Sequence, residues 1–372
     1  MKKEDESKIY QQLKNRFFFA GLVLNVVVLA AFYAAGWSIR LRDFSFQTVS
    51  SPGLANGVYL LVLFWGLYAI HFPLQLFTGF FWEHRFKLSN QKFRQWWADD
   101  LKKALISFVV VLLLVEALYF FLARFPGGWW VAGGLFWLFL NFLLTTLMPQ
   151  AIIPLFYKYS SLEDQNLKKM IQALFQKCRL EIKDVYAVNF SAKTKKANAF
   201  VCGLGRSRRV VLSDTLLAQF TAEEIETVAA HELGHYRRQD MLKLLLVNSG
   251  VVFAGFFLMD RFLPALGVSR MADIAYLPVV LLAFVIFGFL VTPFLNWFSC
   301  RLEREADRFS LQLTGRPGAF ISMLDKLGRM NLSESNPGRL NEIFFYDHPP
   351  VAKRIAFARE WAEKDKQGKG LA

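Results

Sequence analysis

T-A-E-E-I-E-T-V-A-A-H-E-L-G-H-Y-R-R-Q-D at Thr221–Asp240, followed almost at once by the apolar run Leu244–Met259, sets the terms for the whole chain. Thr221 with Glu224 three residues on is a capping-box pattern, so a helix opens there. Inside that helix His231 and His235 stand four residues apart and share a face, which lets two imidazoles reach one metal ion. Glu232 lies beside them, placed to take a proton from an attacking water. A surface helix whose Glu and His pair at i,i+3 and i,i+4 is the competing account. Two of the chain's five histidines at ligand spacing weigh against it. The helix then gives way to 16 residues without charge between Lys243 and Asp260, a short version of the roughly 20 needed to cross a bilayer.

The rest of the chain agrees with a membrane setting. Of 372 residues, 54% are hydrophobic, 16% aromatic and 20% charged, with a mean hydropathy of +0.29. Disorder is excluded, since it requires low hydrophobicity and dense charge. With 23 Gly and 12 Pro the chain is neither collagenous nor low-complexity. An ordinary soluble enzyme is excluded too, because this much apolar surface does not fit one core. Six charge-poor runs are predicted to span: 17–35, 57–78 (with His71 and Pro73), 104–123 (with Glu116), 129–147, 244–259 and 274–298. The first is read as a retained helix, because its apolar stretch exceeds that of a signal peptide and its leader carries acids.

Basic residues set the orientation. There are five Lys and Arg before the first span and six in Phe80–Lys103, against two in Gly36–Asn56, one at Arg124 and two in Asp260–Asp273. Both termini and the polar Tyr157–Lys243 segment are therefore expected in the cytoplasm. The net charge of +14 marks that face and does not argue for nucleic acid. Cys178, Cys202 and Cys300 form no C-x-x-C pair, so neither a disulfide framework nor a thiolate metal site is expected.

These runs divide the chain into a four-span membrane domain (1–156), a metalloprotease segment (157–243), two further spans (244–298), a second catalytic segment (299–363) and a disordered tail (364–372). Within 157–243 a helix is predicted over about Leu162–Cys178. Strands follow at Asp184–Asn189, Asn198–Cys202 and Arg209–Leu212, punctuated by Gly203 and Gly205. Helices are expected in 299–372, with a break at Gly315–Gly318 and a loop over Ser333–Pro350. The fold class is a multi-pass α-helical membrane protein with a cytoplasmic zincin-like α+β catalytic domain.

A catalytic zinc needs a third protein ligand and an open position. The natural source is N-W-F-S-C-R-L-E-R-E-A-D at Asn296–Asp307. Glu303 and Asp307 share a helix face; Glu303 is assigned to the metal and Asp307 to orienting a ligand imidazole. Glu305 competes on spacing but points elsewhere. The fifth and sixth spans flank the two ligand sets, which places both within roughly 15 Å of one membrane face.

With these motifs in hand, the chain resembles the integral-membrane zinc metalloproteases that include the type-I CAAX prenyl endopeptidases. The likeness rests on ordered motifs: W-E-H-R-F-K-L-S-N-Q at Trp82–Gln91 with Asp100 and Lys103, P-L-F-Y-K-Y at Pro154–Tyr159, N-A-F at Asn198–Phe200, H-E-L-G-H, and D-H-P-P-V-A-K-R-I at Asp347–Ile355. The resemblance implies one Zn2+ per chain on His231, His235 and Glu303, with Glu232 as the catalytic carboxylate. It implies that His348 stabilises the oxyanion with Arg354 nearby, and that Asn198, Ala199 and Phe200 hold the substrate backbone as an added strand. From the residues alone, a zincin needs some donor near the developing oxyanion. Two departures stand out. Cys300 occupies the place three residues before the glutamate where the family usually carries Arg, with Arg301 next to it. Six clear spans replace the seven of eukaryotic members, so the chain looks like a compact, bacterial-type relative.

The expected activity is endopeptidase cleavage at the cytoplasmic membrane face, of the CAAX type on prenylated or membrane-associated peptides. The alternatives are broad quality-control cleavage of misfolded membrane proteins and, outside enzymology, a scaffold or transporter with a structural zinc. Expected partners are a peptide or protein substrate and membrane lipid, with no nucleic acid and no obligate partner chain. The membrane is the plasma (inner) membrane for a bacterial chain, the endoplasmic reticulum for a eukaryotic one. His71 and Glu116 are read as groups in interhelical hydrogen bonds. Lys193, Lys195, Lys196, Arg206, Arg208 and Arg209 are read as facing anionic headgroups or a substrate carboxylate.

Overall fold

The computed structural model describes residues 3–203, 208–268 and 270–368. Among these, six helices are long and apolar enough to cross a membrane: Glu6–Ala34, Pro52–Arg85, Phe93–Arg124, Trp129–Leu155, Asp240–Phe262 and Ile274–Thr314. At most 28% of the most apolar window of any of them is buried within the chain, so their outer faces are left for lipid. In element terms the first half comprises α1 (Lys3–Ala34), α2 (Trp37–Thr48), α3 (Pro52–Leu76), α4 (Glu83–Arg85), α5 (Phe93–Arg124) and α6 (Trp129–Leu147). Pro73 lies inside α3, and the helix widens into a π-helical turn at Phe77–Trp82 before reaching α4.

The link Gly36–Asn56, counted from sequence as a plain connection, contains α2. Ser38 of α2 is fully buried, 2.6 Å from the Tyr59 hydroxyl and donating to the Ala275 carbonyl at 2.6 Å. Arg42 pairs with Asp273. A polar segment thus gains order from partners distant in sequence. The apolar core of the bundle gathers Tyr59, Leu60, Tyr119, Trp129, Phe256 and Leu277. Glu116, expected to pair between helices, hydrogen-bonds Asn56.

The polar part begins with β1 (Tyr159–Ser161), α7 (Gln165–Lys177), β2 (Asp184–Val188), β3 (Ala199–Cys202), β4 (Arg209–Ser213), α8 (Asp214–Gln219) and α9 (Ala222–Arg237). It resumes after α10 (Asp240–Phe262) in the second half of α11 (Leu277–Thr314), then α12 (Pro317–Met330), α13 (Arg339–Phe345) and α14 (Val351–Lys366). The sheet runs β1-β2-β4-β3. β2 and β4 pair in parallel, while β1 and β3 add antiparallel at the outside. The short β1 is absent from the sequence reading, α13 lies inside the expected loop, and α14 covers 364–366 of the expected tail. Gly205, Arg206 and 369–372 lie outside the described residues.

Helix α9 is the hub. Thr221 and Glu224 make both capping-box bonds. Ala229, Ala230 and Leu233 are fully buried against a core that includes Leu174, Val185, Leu212 and Phe320, each large side chain contributing about 1.5–3 kcal/mol. Gly234 lets α9 meet α11: a Cβ there would stand 3.3 Å from the Ala306 Cα and 3.1 Å from the Phe309 ring. Ser310 of α11 donates to the Thr227 carbonyl at 2.8 Å.

Candidate active site

The contact between α9 and α11 brings His231, His235 and Glu303 together, with one ligand atom from each within 4.8 Å of the others. The two Nε2 atoms are 3.2 Å apart. Glu303 Oε2 is 3.3 Å from His231 Nε2, and its Oε1 is 3.1 Å from His235 Nε2. Glu303 Oε2 is buried without a hydrogen bond. Tetrahedral coordination at about 2.0–2.1 Å sets its donors roughly 3.3 Å apart, so these residues fit a zinc ion.

The outward ring nitrogens decide the tautomers. His231 Nδ1 lies 2.9 Å from Asp307, and His235 Nδ1 lies 3.0 Å from Asp240. Each Nδ1 with its proton facing a carboxylate leaves the Nε2 lone pair directed at the shared point. Asp307 is fixed in turn by both arms of Arg354, at 2.8 and 2.6 Å. Asp240 is 1% exposed and also accepts from Lys243 at 2.8 Å. Its role was missed from sequence, because Gln239 takes a left-handed conformation (φ 55) between α9 and α10 and turns Asp240 back onto the imidazole. Glu305 pairs with Arg238 on another face, at 2.9 Å.

Burial disfavours the charged form of His235, yet Asp240 and Glu303 outweigh it and lift its pKa to about 10. A proton must therefore leave as a metal arrives, and affinity rises with pH. Burial also raises the Glu232 carboxyl above its usual range, with His231 and His235 acting the other way. A group so placed is suited to exchange a proton with water.

Glu232 lines a cavity of about 560 Å³, together with Asn198, Ala199, His348 and Arg354. His348 follows α13, held by Asp347 on Nδ1 at 2.8 Å and directing Nε2 at Glu303 Oε1 at 3.1 Å. Ala199 opens β3, an outer strand with β4 on one side only. Asn198 and Ala199 line the cavity and Phe200 does not. Cys300 lies 3.5 Å from the Tyr346 carbonyl, beneath the turn that carries His348.

Part of the basic cluster read from sequence is engaged within the chain. Lys193 meets Asp99, Lys196 meets Glu83, and Arg208 and Arg209 lie over the rings of Tyr236 and Tyr186. The Leu88–Asn90 segment hydrogen-bonds residues 193–195, tying the membrane half to the approach to β3.

A multi-pass helical protein with this centre on two packed helices, opening on a strand-edged cavity, is a membrane metalloprotease. The chain belongs to Peptidase family M48, whose sequence model matches residues 161–362. The model described as CAAX prenyl protease N-terminal, five membrane helices, matches residues 2–158, where four of the six candidate spans fall. The "Uncharacterized metalloprotease YhfN" of Bacillus subtilis is 29% identical over 94% of this chain and 84% of its own length. "CAAX prenyl protease 1 homolog" of Arabidopsis thaliana is 29% identical over 76% and 68%. "CAAX prenyl protease 1" of Saccharomyces cerevisiae is 26% identical over 80% and 70%. The crystal structure of S. mikatae Ste24p superposes with a TM-score of 0.85 at 21% identity, over 96% of this chain and 89% of that one, and shows a common fold.

Proposed function

We propose that this membrane metalloprotease is a zinc endopeptidase that cuts peptides close to the cytoplasmic membrane face, with CAAX-type carboxy-terminal processing as its favoured activity. The observation that carries the reading is the meeting of His231, His235 and Glu303, with His231 and Glu232 lining the same cavity as Asn198 and Ala199 at the start of β3. The names of the Arabidopsis and yeast relatives support the CAAX-type activity, and the Lys and Arg distribution supports the orientation.

In this reading His231, His235 and Glu303 hold zinc, which supplies Lewis acidity toward the scissile carbonyl. The substrate backbone lies along Asn198 and Ala199, held by strand-type hydrogen bonds that fix the carbonyl in place. Glu232 accepts a proton from the attacking water on a carboxylate oxygen and returns it to the departing amine nitrogen. Burial works against a charge on His348, but Asp347 and Glu303 outweigh it and lift its pKa to about 10, so the ring carries protons on both nitrogens: Nδ1–H is held by Asp347 and Nε2–H is presented to the carbonyl oxygen as negative charge grows there. Arg354 acts through Asp307 to orient His231.

Glu232→Gln tests the scheme. The variant is expected to retain about one zinc per chain by elemental analysis while peptide cleavage falls about 10²–10⁴-fold; wild-type cleavage by this variant refutes the role. Comparing farnesylated and unmodified forms of one peptide tests the CAAX-type reading, and equal rates count against prenyl recognition.

A further inference from the structure

The cluster of His231, His235 and Glu303 is open on two sides. His231 and Glu232 border the catalytic cavity, whereas His235, Asp240 and Glu303 border a separate cavity of about 350 Å³ between α6 and α10. The wall of this second cavity includes Asn141 and Thr145 of α6 and Leu244 and Asn248 of α10.

The packing of the two helices explains why it opens there. At one end Trp129 Nε1 of α6 donates to Asp260 of α10 at 2.6 Å. Next to that bond α6 is pressed onto α10 through glycine, where a Cβ on Gly134 would stand 2.5 Å from the Phe253 ring. At 1.5 Å per residue the same antiparallel register brings Asn141 level with Asn248, and Thr145 level with Leu244, about 10 and 16 Å further along. No glycine occurs in that part of α6, and the space between the helices becomes the cavity.

Its polar groups are not spent on holding the helices together. Carboxamides inside spanning segments commonly bond across to a neighbouring helix. Here Asn248 Nδ2 donates to the Leu244 carbonyl of its own helix at 2.8 Å, and Asn141 Oδ1 accepts from Thr145 of its own helix at 3.4 Å. Among the described residues no bond joins the two carboxamides, and Asn141 Nδ2 and Asn248 Oδ1 have no hydrogen-bond partner. Charge separates the two cavities as well. Lys14, Lys196 and Arg354 share the catalytic cavity with Glu232, Glu334 and Asp347. The second cavity has Asp240 and Glu303 on its wall and, among the described residues, neither Lys nor Arg. A cleft lined by carboxylates without basic residues concentrates cations, and a divalent ion leaves bulk water readily only where other oxygen atoms replace its hydration.

We infer that the cavity between α6 and α10 is the route by which zinc reaches and leaves its ligands, with Asn141, Thr145 and Asn248 solvating the ion on the way to Asp240 and His235. This rests on the zinc assignment proposed above and adds the path that a buried metal site requires. Groups that meet an ion only in transit lower the barrier equally in both directions. Their loss therefore slows uptake and release alike and leaves the equilibrium affinity unchanged.

The test uses the full-length protein in detergent and zinc itself as the probe. Release is followed with a chromophoric chelator in excess, uptake by mixing metal-free protein with zinc, and Kd by competition at equilibrium. Thr145→Val and the double substitution Asn141→Leu with Asn248→Leu remove the polar groups and nearly keep the volume. Gln11→Leu makes a like change on the wall of the catalytic cavity. The double variant is expected to slow both uptake and release about 10- to 100-fold, Thr145→Val by less, with Kd within about 2-fold of wild type and Gln11→Leu exchanging at the wild-type rate. An unchanged Kd also shows that the variants are folded at the site. Wild-type exchange rates in the double variant, an equal slowing by Gln11→Leu, or faster release with a raised Kd would each overturn the inference while leaving the zinc assignment standing. Failure of the wild type to bind zinc would overturn both.

Discussion

Replacing Asp240 by Asn tests the proposed zinc centre through a residue outside its ligand set. Asp240 is buried to 1% exposure, accepts from His235 Nδ1 at 3.0 Å and from Lys243 Nζ at 2.8 Å, and has Arg238 Nε at 3.7 Å. The substitution keeps the volume and one acceptor oxygen but removes the negative charge. The bond to His235 then changes from charge-assisted to neutral, about half as strong, and the imidazole becomes a weaker donor toward the metal. Losing such an outer partner typically costs 10- to 100-fold in metal affinity, or about 1.4–2.7 kcal/mol. Asp307 stands in the same relation to His231, but two bonds tie it to the buried Arg354. Asp307→Asn weakens those as well and should lose more. The assay is competition for zinc against a chromophoric chelator near neutral pH, with kcat measured at saturating zinc. We expect the zinc Kd of Asp240→Asn to rise 10- to 100-fold while kcat returns to within a few-fold of wild type. Unchanged zinc affinity, or a smaller loss for Asp307→Asn than for Asp240→Asn, would refute the reasoning.

Three further substitutions test packing and pH dependence. Gly234→Ala forces a methyl against the Phe309 ring and the Ala306 backbone; overpacking of this kind costs about 1–3 kcal/mol. A lower melting temperature in detergent is expected, with weakened zinc binding because α9 and α11 carry the proposed ligands. Gly250→Ala, with nothing within 4 Å of the added Cβ, should be neutral or slightly stabilising. For Glu224, burial favours the neutral form, but the bonds from Lys326 and Ser322 outweigh it and hold the carboxyl below its ordinary value of 4.5. A depressed folded pKa contributes stability above the unfolded pKa, lost as pH falls through the folded one. The wild type should therefore lose more melting temperature between about pH 5 and pH 3 than Glu224→Gln, and parallel pH profiles would contradict this.

What the chain discloses before folding depends on the range of the interaction involved. The membrane runs are visible because lipid demands a length of apolar sequence that nothing else in the chain imitates. The imidazole pair and Glu232 are visible because one turn of helix puts residues 231 and 235 on the same side. Asp240 is hidden for the same reason: five residues beyond His235, it would lie on a different face of a continuous helix, and only the break at Gln239 returns it. Helix α2 is hidden because its polar residues owe their order to Tyr59, Asp273 and Ala275, up to 237 positions away. Phe200 was grouped with Asn198 and Ala199 by motif, whereas only the latter two line the cavity.

The sequence by itself determined the membrane character, the helix that bears H-E-L-G-H and the types of side chain available for chemistry. These follow from composition and from backbone periods that every helix and strand obeys. Glu303 and Asp307 were legible as one helix face, but tertiary structure alone decided that Asp307 meets His231, that Asp240 turns back onto His235, and that Lys14 of the first helix shares a cavity with Glu232. Such meetings depend on how closely distant helices approach. At the centre of this protein that distance is set by the missing side chain of Gly234 against Ala306.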